Sequence, residues 1–383
     1  MESREVVGRF LSAGYSLDSA SLEFFISNPE KVDAFLEAAK GAEKTGRRPA
    51  IITLGYVQNI LKAKPSAGGC ARLAVIKDFS SRKERRTSVE DAVAERTKEY
   101  EAARSLLAEK LEDVVSINKM QKHAKFSLIV SALEKVGSDS ATVEDATGSA
   151  VLRFEDVKEF DSMLEGDTFG AVCESADGTA VAKRIVWPDI PLKRKPEGSS
   201  NRGLCVFVAG ADQQAAGFEA KSFEKLAKWL DDNAEKNPQV VAFAREEHVK
   251  DVEELLAKLP EDVCKSIVTT LSIGELGGLK ILSCESGDLQ SRKPAWGSDG
   301  EIMVNILKRR SLPACGARGR SCSAGHATFF DVVPDIFVAT GSKEPSASNY
   351  KGTNVIAIGD FTGTPVFFAV DLQTRDVNKL DLS

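Results

Sequence analysis

The hydrophobic period of this chain changes twice, and that change limits the fold more than any single motif. Five short apolar runs occupy 126–130, 140–143, 151–154, 168–173 and 181–187, with a helical interruption near 156–163. Glu144-Asp-Ala-Thr-Gly148 separates two of them, glycine supplying the turn. Five strands in so short a stretch predict a small closed barrel of the oligonucleotide/oligosaccharide-binding (OB) type. Beyond residue 200 the pattern alternates between strand and helix. Strands are predicted at 204–210, 239–244, 266–271, 279–284, 335–340, 353–358 and 365–371. Helices are predicted at 219–232, 247–258 and 301–310. Phe223, Leu226, Ala227 and Leu230 share one helical face, with Trp229 beside it. This order fits a layered α/β sandwich on two sheets, or one mixed sheet.

The N-terminal part differs from both. Phe10, Leu11, Leu17, Leu22, Phe24, Phe25, Val32, Phe35 and Leu36 recur near helical spacing, so residues 1–60 read as a small helical module. Asp18 or Ser16 is positioned to cap its second helix, and Asn28-Pro29-Glu30 to open the next. Ile51, Ile52, Leu54, Val57 and Ile60 form a short strand or a final helix. Residues 61–92 read as a linker carrying the basic run Arg82-Lys83-Glu84-Arg85-Arg86, either a solvated segment or a contact with nucleic acid or an acidic partner. A helix is predicted over 93–112, with Tyr100, Ala103, Leu106, Leu107 and Leu111 on its apolar stripe. The expected division is therefore 1–60, linker 61–92, helix plus barrel and connector 93–196, and sandwich 197–383: an α+β multidomain protein.

Composition narrows the function. Fifty-one basic against fifty-seven acidic residues give a net charge of −6, so nucleic acid could be held only by a local patch. Lys183, Arg184, Lys193, Arg194 and Lys195 are the candidate phosphate contacts, and equally a means of keeping a proline-rich connector (Pro188, Pro191, Pro196) soluble. His123, His248 and His326 are the three histidines, too few for a histidine-rich dinuclear site. Seven dispersed cysteines, at 70, 173, 205, 264, 284, 315 and 322, read as reduced intracellular thiols. Cys315, Cys322 and His326 are the one compact group of soft ligands. A zinc site there would need Cys284 or His248 as well, and buried cysteines beside a surface loop are the preferred reading. The start lacks the apolar core of a signal peptide and no run of eighteen apolar residues occurs, so a cytoplasmic protein without a membrane partner is expected.

Several segments resemble, in order, the small subunit of archaeal family D DNA polymerase. They are Glu301-Ile-Met-Val-Asn-Ile-Leu-Lys-Arg-Arg-Ser-Leu-Pro-Ala-Cys-Gly-Ala-Arg318, Asp331-Val-Val-Pro-Asp-Ile-Phe337 and Arg184-Ile-Val-Trp-Pro-Asp-Ile-Pro-Leu-Lys-Arg194. The Glu144–Gly148 turn, Phe223–Leu230, Leu255–Pro260 and Val370–Thr374 match as well. The resemblance implies a helical N-domain, an OB barrel and a calcineurin-like phosphoesterase sandwich. It implies a large catalytic polymerase subunit as partner, with DNA and a sliding clamp as further contacts. Active members proofread 3′ to 5′ with two divalent metals, which require Asp, Asn and His donors around ions roughly 4 Å apart.

Position by position, those donors are replaced. The first loop, D-x-H in active members, reads Ala209-Gly210-Ala211-Asp212 here, keeping at best Asp212. The second, G-D-x-x-D, reads Ala244-Arg245-Glu246-Glu247-His248. The third, G-N-H-[D/E], offers Leu271-Ser-Ile-Gly-Glu275, and the fourth has Cys284-Glu285 in place of histidine. The last, G-H-x-H, is Gly341-Ser342-Lys343-Glu344. Asp212, Glu246, Glu285 and Asp360 then read as surface carboxylates, while Arg245 and Lys343 add positive charge where cations should sit. The expectation is no metal, no cofactor and no nuclease activity: a non-catalytic accessory subunit that braces a polymerase. The alternatives are a divergent 3′–5′ exonuclease using Asp212, Glu246, His248 and Glu285, and a free-standing single-strand-binding barrel.

Overall fold

The computed structural model describes residues 3–13, 15–29, 31–32, 35–36, 51–52, 57, 73–78, 89–122, 124–176, 179–192, 198–199, 203–209, 220–244, 249–285, 289, 296–312, 328–359 and 366–381. The chain forms two compact units, Met1–Ala71 with Ser200–Arg202, and Arg72–Ser199 with Gly203–Ser383.

In the first unit, helices α1 (Ser3–Ser12) and α2 (Ser19–Ser27) carry the aromatic stripe inward. Phe10, Phe25 and Phe35 are fully buried, with ring centroids 4.8 Å (Phe10–Phe25) and 5.2 Å (Phe25–Phe35) apart. Asp18 is the α2 cap, its carboxylate accepting from the Ser21 N–H at 2.8 Å. Strand β1 (Ser16–Leu17) pairs in parallel with β2 (Ile51–Ile52).

The second unit begins with β3 (Ala74–Asp78), inside the stretch read as linker. Its five residues are too few and too exposed to show alternation: Val75 and Ile76 are both about half accessible. Helix α3 (Val89–Ala108) starts and stops four residues earlier than its apolar stripe suggested. Strands β4 (Lys125–Lys135), β5 (Ser140–Asp145), β6 (Gly148–Phe154), β7 (Thr168–Ala176) and β8 (Thr179–Val186) close into a barrel in the order β4-β5-β6-β8-β7. The β6–β8 pair is parallel and the others antiparallel. Helix α4 (Val157–Ser162) lies between β6 and β7, where Asp156 caps it by accepting from the Lys158 and Glu159 N–H groups. Its Phe160 enters the barrel core beside Phe154.

Beyond the barrel stand two sheets. The first, β11 (Cys264–Thr269), β10 (Gln239–Ala244), β9 (Leu204–Ala209), β19 (Val366–Asp371) and β20 (Val377–Asp381), has its first three strands parallel. The second runs β17 (Ser346–Tyr350), β18 (Thr353–Ala357), β16 (Ile336–Thr340), β13 (Leu279–Glu285), β12 (Ser272–Leu276) and β3, with β13, β16 and β18 parallel, while β14 (Ser311–Leu312) and β15 (Thr328–Phe329) pair separately. Val206, Val208, Val240 and Ala242 pack under helices α5 (Ala220–Asp232) and α6 (Val249–Leu256). Leu282, Cys284, Phe337 and Ala339 pack under α7 (Asp299–Arg309). Because successive side chains alternate across a sheet, Phe207 and Phe243 face inward in the first sheet, and Ile281 and Val338 in the second. All four are buried. The result is a helix–sheet–sheet–helix sandwich. β9 and β10, covered on both faces, are buried at every position, as parallel central strands require.

Barrel and sandwich are one body. Arg309, in the last turn of α7, reaches from the sandwich to Asp167 at the entry to β7, with Nε–Oδ2 3.0 Å and both side chains about 95% or more buried. Its guanidinium lies 4.0 Å from the Trp187 ring centroid and 4.5 Å from that of Trp296. The start of the connector, at Pro188 and Asp189, is fixed too. The Asp189 N–H donates to the Lys308 carbonyl, its carboxylate pairs with Lys351, and Lys110 donates to the Pro188 carbonyl.

Candidate functional site at the strand ends

Parallel strands direct their carboxyl ends to one side, and ligands of open α/β sheets bind there. β9 ends at Ala209 and β10 at Ala244, side chains with nothing to donate to a metal. Next to them the Thr270 N–H donates to the Ala244 carbonyl at 2.9 Å. In the second sheet the register sets Glu285 opposite Thr340. In the bend that leads from β11 to β12, Thr270 Oγ1 donates to Glu285 Oε1 at 3.0 Å. The backbone turns away from β11 through Leu271, whose φ is 69°, and Ser272 Oγ donates to the Thr269 carbonyl at 2.7 Å.

The last loop follows β16. Gly341 takes φ 75°, a value that suits glycine. Ser342 is buried, donating its N–H to the Ile358 carbonyl and its hydroxyl to Asp299 Oδ2 at 2.6 Å. That loop is thus held by a serine–aspartate bond to α7, and Lys343 projects into solvent. Glu275 stands apart from this cluster, contrary to the sequence alignment. It lies opposite Lys280 in the β12–β13 hairpin, which turns through Gly277 and Gly278 at φ 57° and 90°. Glu285 is five residues further along β13, about 17 Å away. Asp212, Arg245, Glu246, His248 and Asp360 lie outside the described residues.

This donor set does not fit a pair of divalent ions. The described strand ends supply one carboxylate, Glu285, beside two threonines, two alanines and a glycine. Among the described residues no three His, Cys, Asp or Glu side chains gather as a metal would require. Cys284 is buried in the core cluster under α7, and Cys315, Cys322, His326 and His248 are outside the described residues. Cys264 is disulfide-bonded, a departure from wholly reduced thiols. Cys173 and Cys205 are free and buried, and burial pushes the Cys173 thiol up to about 12 and the Cys205 thiol upward as well.

Of the five candidate phosphate contacts, the structure describes Lys183 and Arg184. Lys183 pairs with Glu155 at 3.0 Å and lies 4.0 Å from Glu174. Arg184 is exposed, and Lys193, Arg194 and Lys195 lie outside the described residues. Residues 113–187 hold thirteen acidic against eight basic side chains, so a phosphate contact there needs a local patch. Phe126, Phe154, Phe160 and Phe169 are buried in the core, leaving no stacking platform among them.

Sequence reasoning missed the Arg309–Asp167 latch. The basic triplet Lys308-Arg309-Arg310 ends a helix, where cations are ordinary. Its partners are well over a hundred residues away in sequence. The nearest signal was that Arg184–Arg194 and Glu301–Arg318 both belong to the resemblance, and these segments meet around Trp187 and Arg309.

No protein-family model matches the chain, and no curated protein matches it. Among solved structures, a Vps29 mutant from Entamoeba histolytica aligns at 10% identity and TM-score 0.29, covering 46% of this chain and 98% of its own. A novel archaeal phosphodiesterase aligns at 10% identity and TM-score 0.28, covering 46% and 99%. A predicted phosphoesterase from Streptococcus pneumoniae gives 10% and 0.28, covering 48% and 92%. At these scores the fold assignment rests on the sheet topology. No helix among the described residues is long and apolar enough to cross a membrane.

Proposed function

We propose that the chain is a non-catalytic scaffold: a calcineurin-like phosphoesterase sandwich that has exchanged its metal ligands for structural contacts, joined rigidly to an OB barrel. The barrel reading draws on its strand order, its parallel β6–β8 pair and the helix between β6 and β7. The observation that carries the scaffold reading is the Thr270–Glu285 hydrogen bond. Where an active member would aim asparagine and histidine at a cation, this chain places a threonine hydroxyl that donates to a carboxylate. A body of two fused modules, held by a buried ion pair, suits a subunit that braces another protein. On the resemblance of its ordered motifs, that protein is the large catalytic subunit of a replicative DNA polymerase of the archaeal family D type.

The test is co-expression of the full chain with such a large subunit, followed by size-exclusion chromatography. A stoichiometric complex supports the proposal, and separate elution contradicts it. In the same preparation, manganese-dependent digestion of a labelled single strand that is lost in Asp212→Ala would instead show a proofreading exonuclease.

A further inference from the structure

We propose that the outer edge of β17, with the polar cleft beside it, receives an extended, basic segment of a partner protein as a seventh strand of the second sheet. The reasoning starts from how sheet edges are protected. An edge strand exposes unpaired N–H and C=O groups, and proteins blunt it with charge, proline or bulges. Two edges of the sandwich follow that rule: β11 has Lys265, and β20 has Lys379 and Asp381. β17 reads Ser346-Ala-Ser-Asn-Tyr350, with no charge, no proline and no bulge. Ser346, Ala347, Ser348 and Asn349 are all exposed, and no described strand lies beyond them. Small side chains leave room above the strand for larger ones from an incoming segment.

The cleft supplies specificity. It has a volume of about 420 Å³ and lies between the β17–β18 and β19–β20 hairpins, with Ser348, Asn349, Thr374 and Asp376 among its walls. Its floor is rigid: Asn349 Nδ2 donates to Asn354 Oδ1, and Asn354 Nδ2 donates to the Arg375 carbonyl. Two charged residues line it. Arg375 is buried and donates to the Asp335 and Gly352 carbonyls, whereas Asp376 is exposed. The accessible charge is therefore negative and complements a lysine or arginine.

A second copy is the weaker occupant. Two five-residue strands of serine, alanine and asparagine would bury far less than the ~1,200 Å² of a stable interface. A longer heterologous strand gains ladder hydrogen bonds and a charged contact together.

The probe is a fluorescein-labelled peptide, Thr-Val-Thr-Val-Arg-Val-Thr-Val-Thr, titrated with the full chain and read by anisotropy. Saturable binding is expected, weakened about tenfold or more when the central arginine is replaced by glutamate or in Asp376→Asn, the loss of one charge-assisted contact. Ser348→Lys, or methylation of alternate peptide amides, is expected to abolish it. The methylated probe leaves the protein unaltered, so a folding defect in a variant cannot imitate the result. No binding by the arginine peptide at millimolar protein, or binding indifferent to Ser348→Lys and amide methylation, overturns the proposal. So does a concentration-dependent dimer, seen by sedimentation, that Ser348→Lys dissolves. The outcome does not depend on the polymerase reading, because neither the large subunit nor DNA is present.

Discussion

Replacing Arg309 by methionine isolates what holds barrel and sandwich together. The methionine keeps much of the stem's packing but removes every polar contact of the guanidinium. These are Nε to Asp167 Oδ2 at 3.0 Å, one terminal nitrogen to Asn305 Oδ1 at 3.0 Å, and the other to the Ser162 carbonyl at 2.9 Å and the Ser162 hydroxyl at 3.2 Å. Burial pulls the Arg309 pKa down while Asp167 pushes it back up, so the charge is retained through its partner. Without it, Asp167 is left as a 5% exposed carboxylate that has lost its cation and still accepts from the Leu164 N–H. Stranding one member of a buried pair costs about 3–5 kcal/mol. Two stacked indoles add about 0.5–2 kcal/mol each for a desolvated cation. Arg309→Met should therefore lose at least about 3 kcal/mol. Adding Asp167→Asn removes the stranded charge while leaving an acceptor for Leu164, and should return about 2 kcal/mol or more. Urea titration followed by far-UV circular dichroism and by tryptophan fluorescence reads both quantities, because Trp187 and Trp296 flank the substituted group. Wild-type transitions should coincide, and in Arg309→Met the fluorescence transition should come first. A loss under about 1 kcal/mol, or a double variant no more stable than the single one, would refute the latch.

Other consequences follow from single contacts. A Cβ added at Gly198 would sit 2.0 Å from the Gln373 carbonyl oxygen, a backbone atom, so Gly198→Ala should lower stability by about 1–3 kcal/mol in the same titration. Tyr100 donates its hydroxyl to the Ile129 carbonyl at 2.9 Å, and burial foremost, with Asp145 adding, raises its pKa to about 12. A raised folded-state pKa means the contribution is whole below pH 10 and is lost as pH climbs from 10 through 12. The stability gap between wild type and Tyr100→Phe should therefore be constant from pH 7 to 9.5 and shift toward the phenylalanine variant above pH 10. A gap independent of alkaline pH would contradict that burial.

Legibility in the sequence followed burial. β9 and β10 were readable because strands covered on both faces need unbroken apolar runs, and α5 because its one buried face repeats every three to four residues. β12, β17 and β20 went unread. Edge and hairpin strands such as Ser346–Tyr350 carry polar residues on both faces and lack an alternating signal. Missing the β12–β13 hairpin is also why Glu275 was placed with the loop residues: two consecutive glycines reverse the chain and carry it to the far end of β13. At the site, the replaced ligands were visible as residue types. The Thr270–Glu285 contact was not, because Thr270 lies in the bend between β11 and β12, and the β12–β13 hairpin whose register brings Glu285 opposite it was itself unread.

The central claim is that these strand ends have been rebuilt as structure and no longer hold a dinuclear cluster. Isothermal titration of the full chain with manganese tests it most directly, with Glu285→Gln alongside. The account predicts no stoichiometric binding tighter than about millimolar and the same weak heats for both proteins. Two ions bound per chain at micromolar affinity, with one lost in Glu285→Gln, would contradict it.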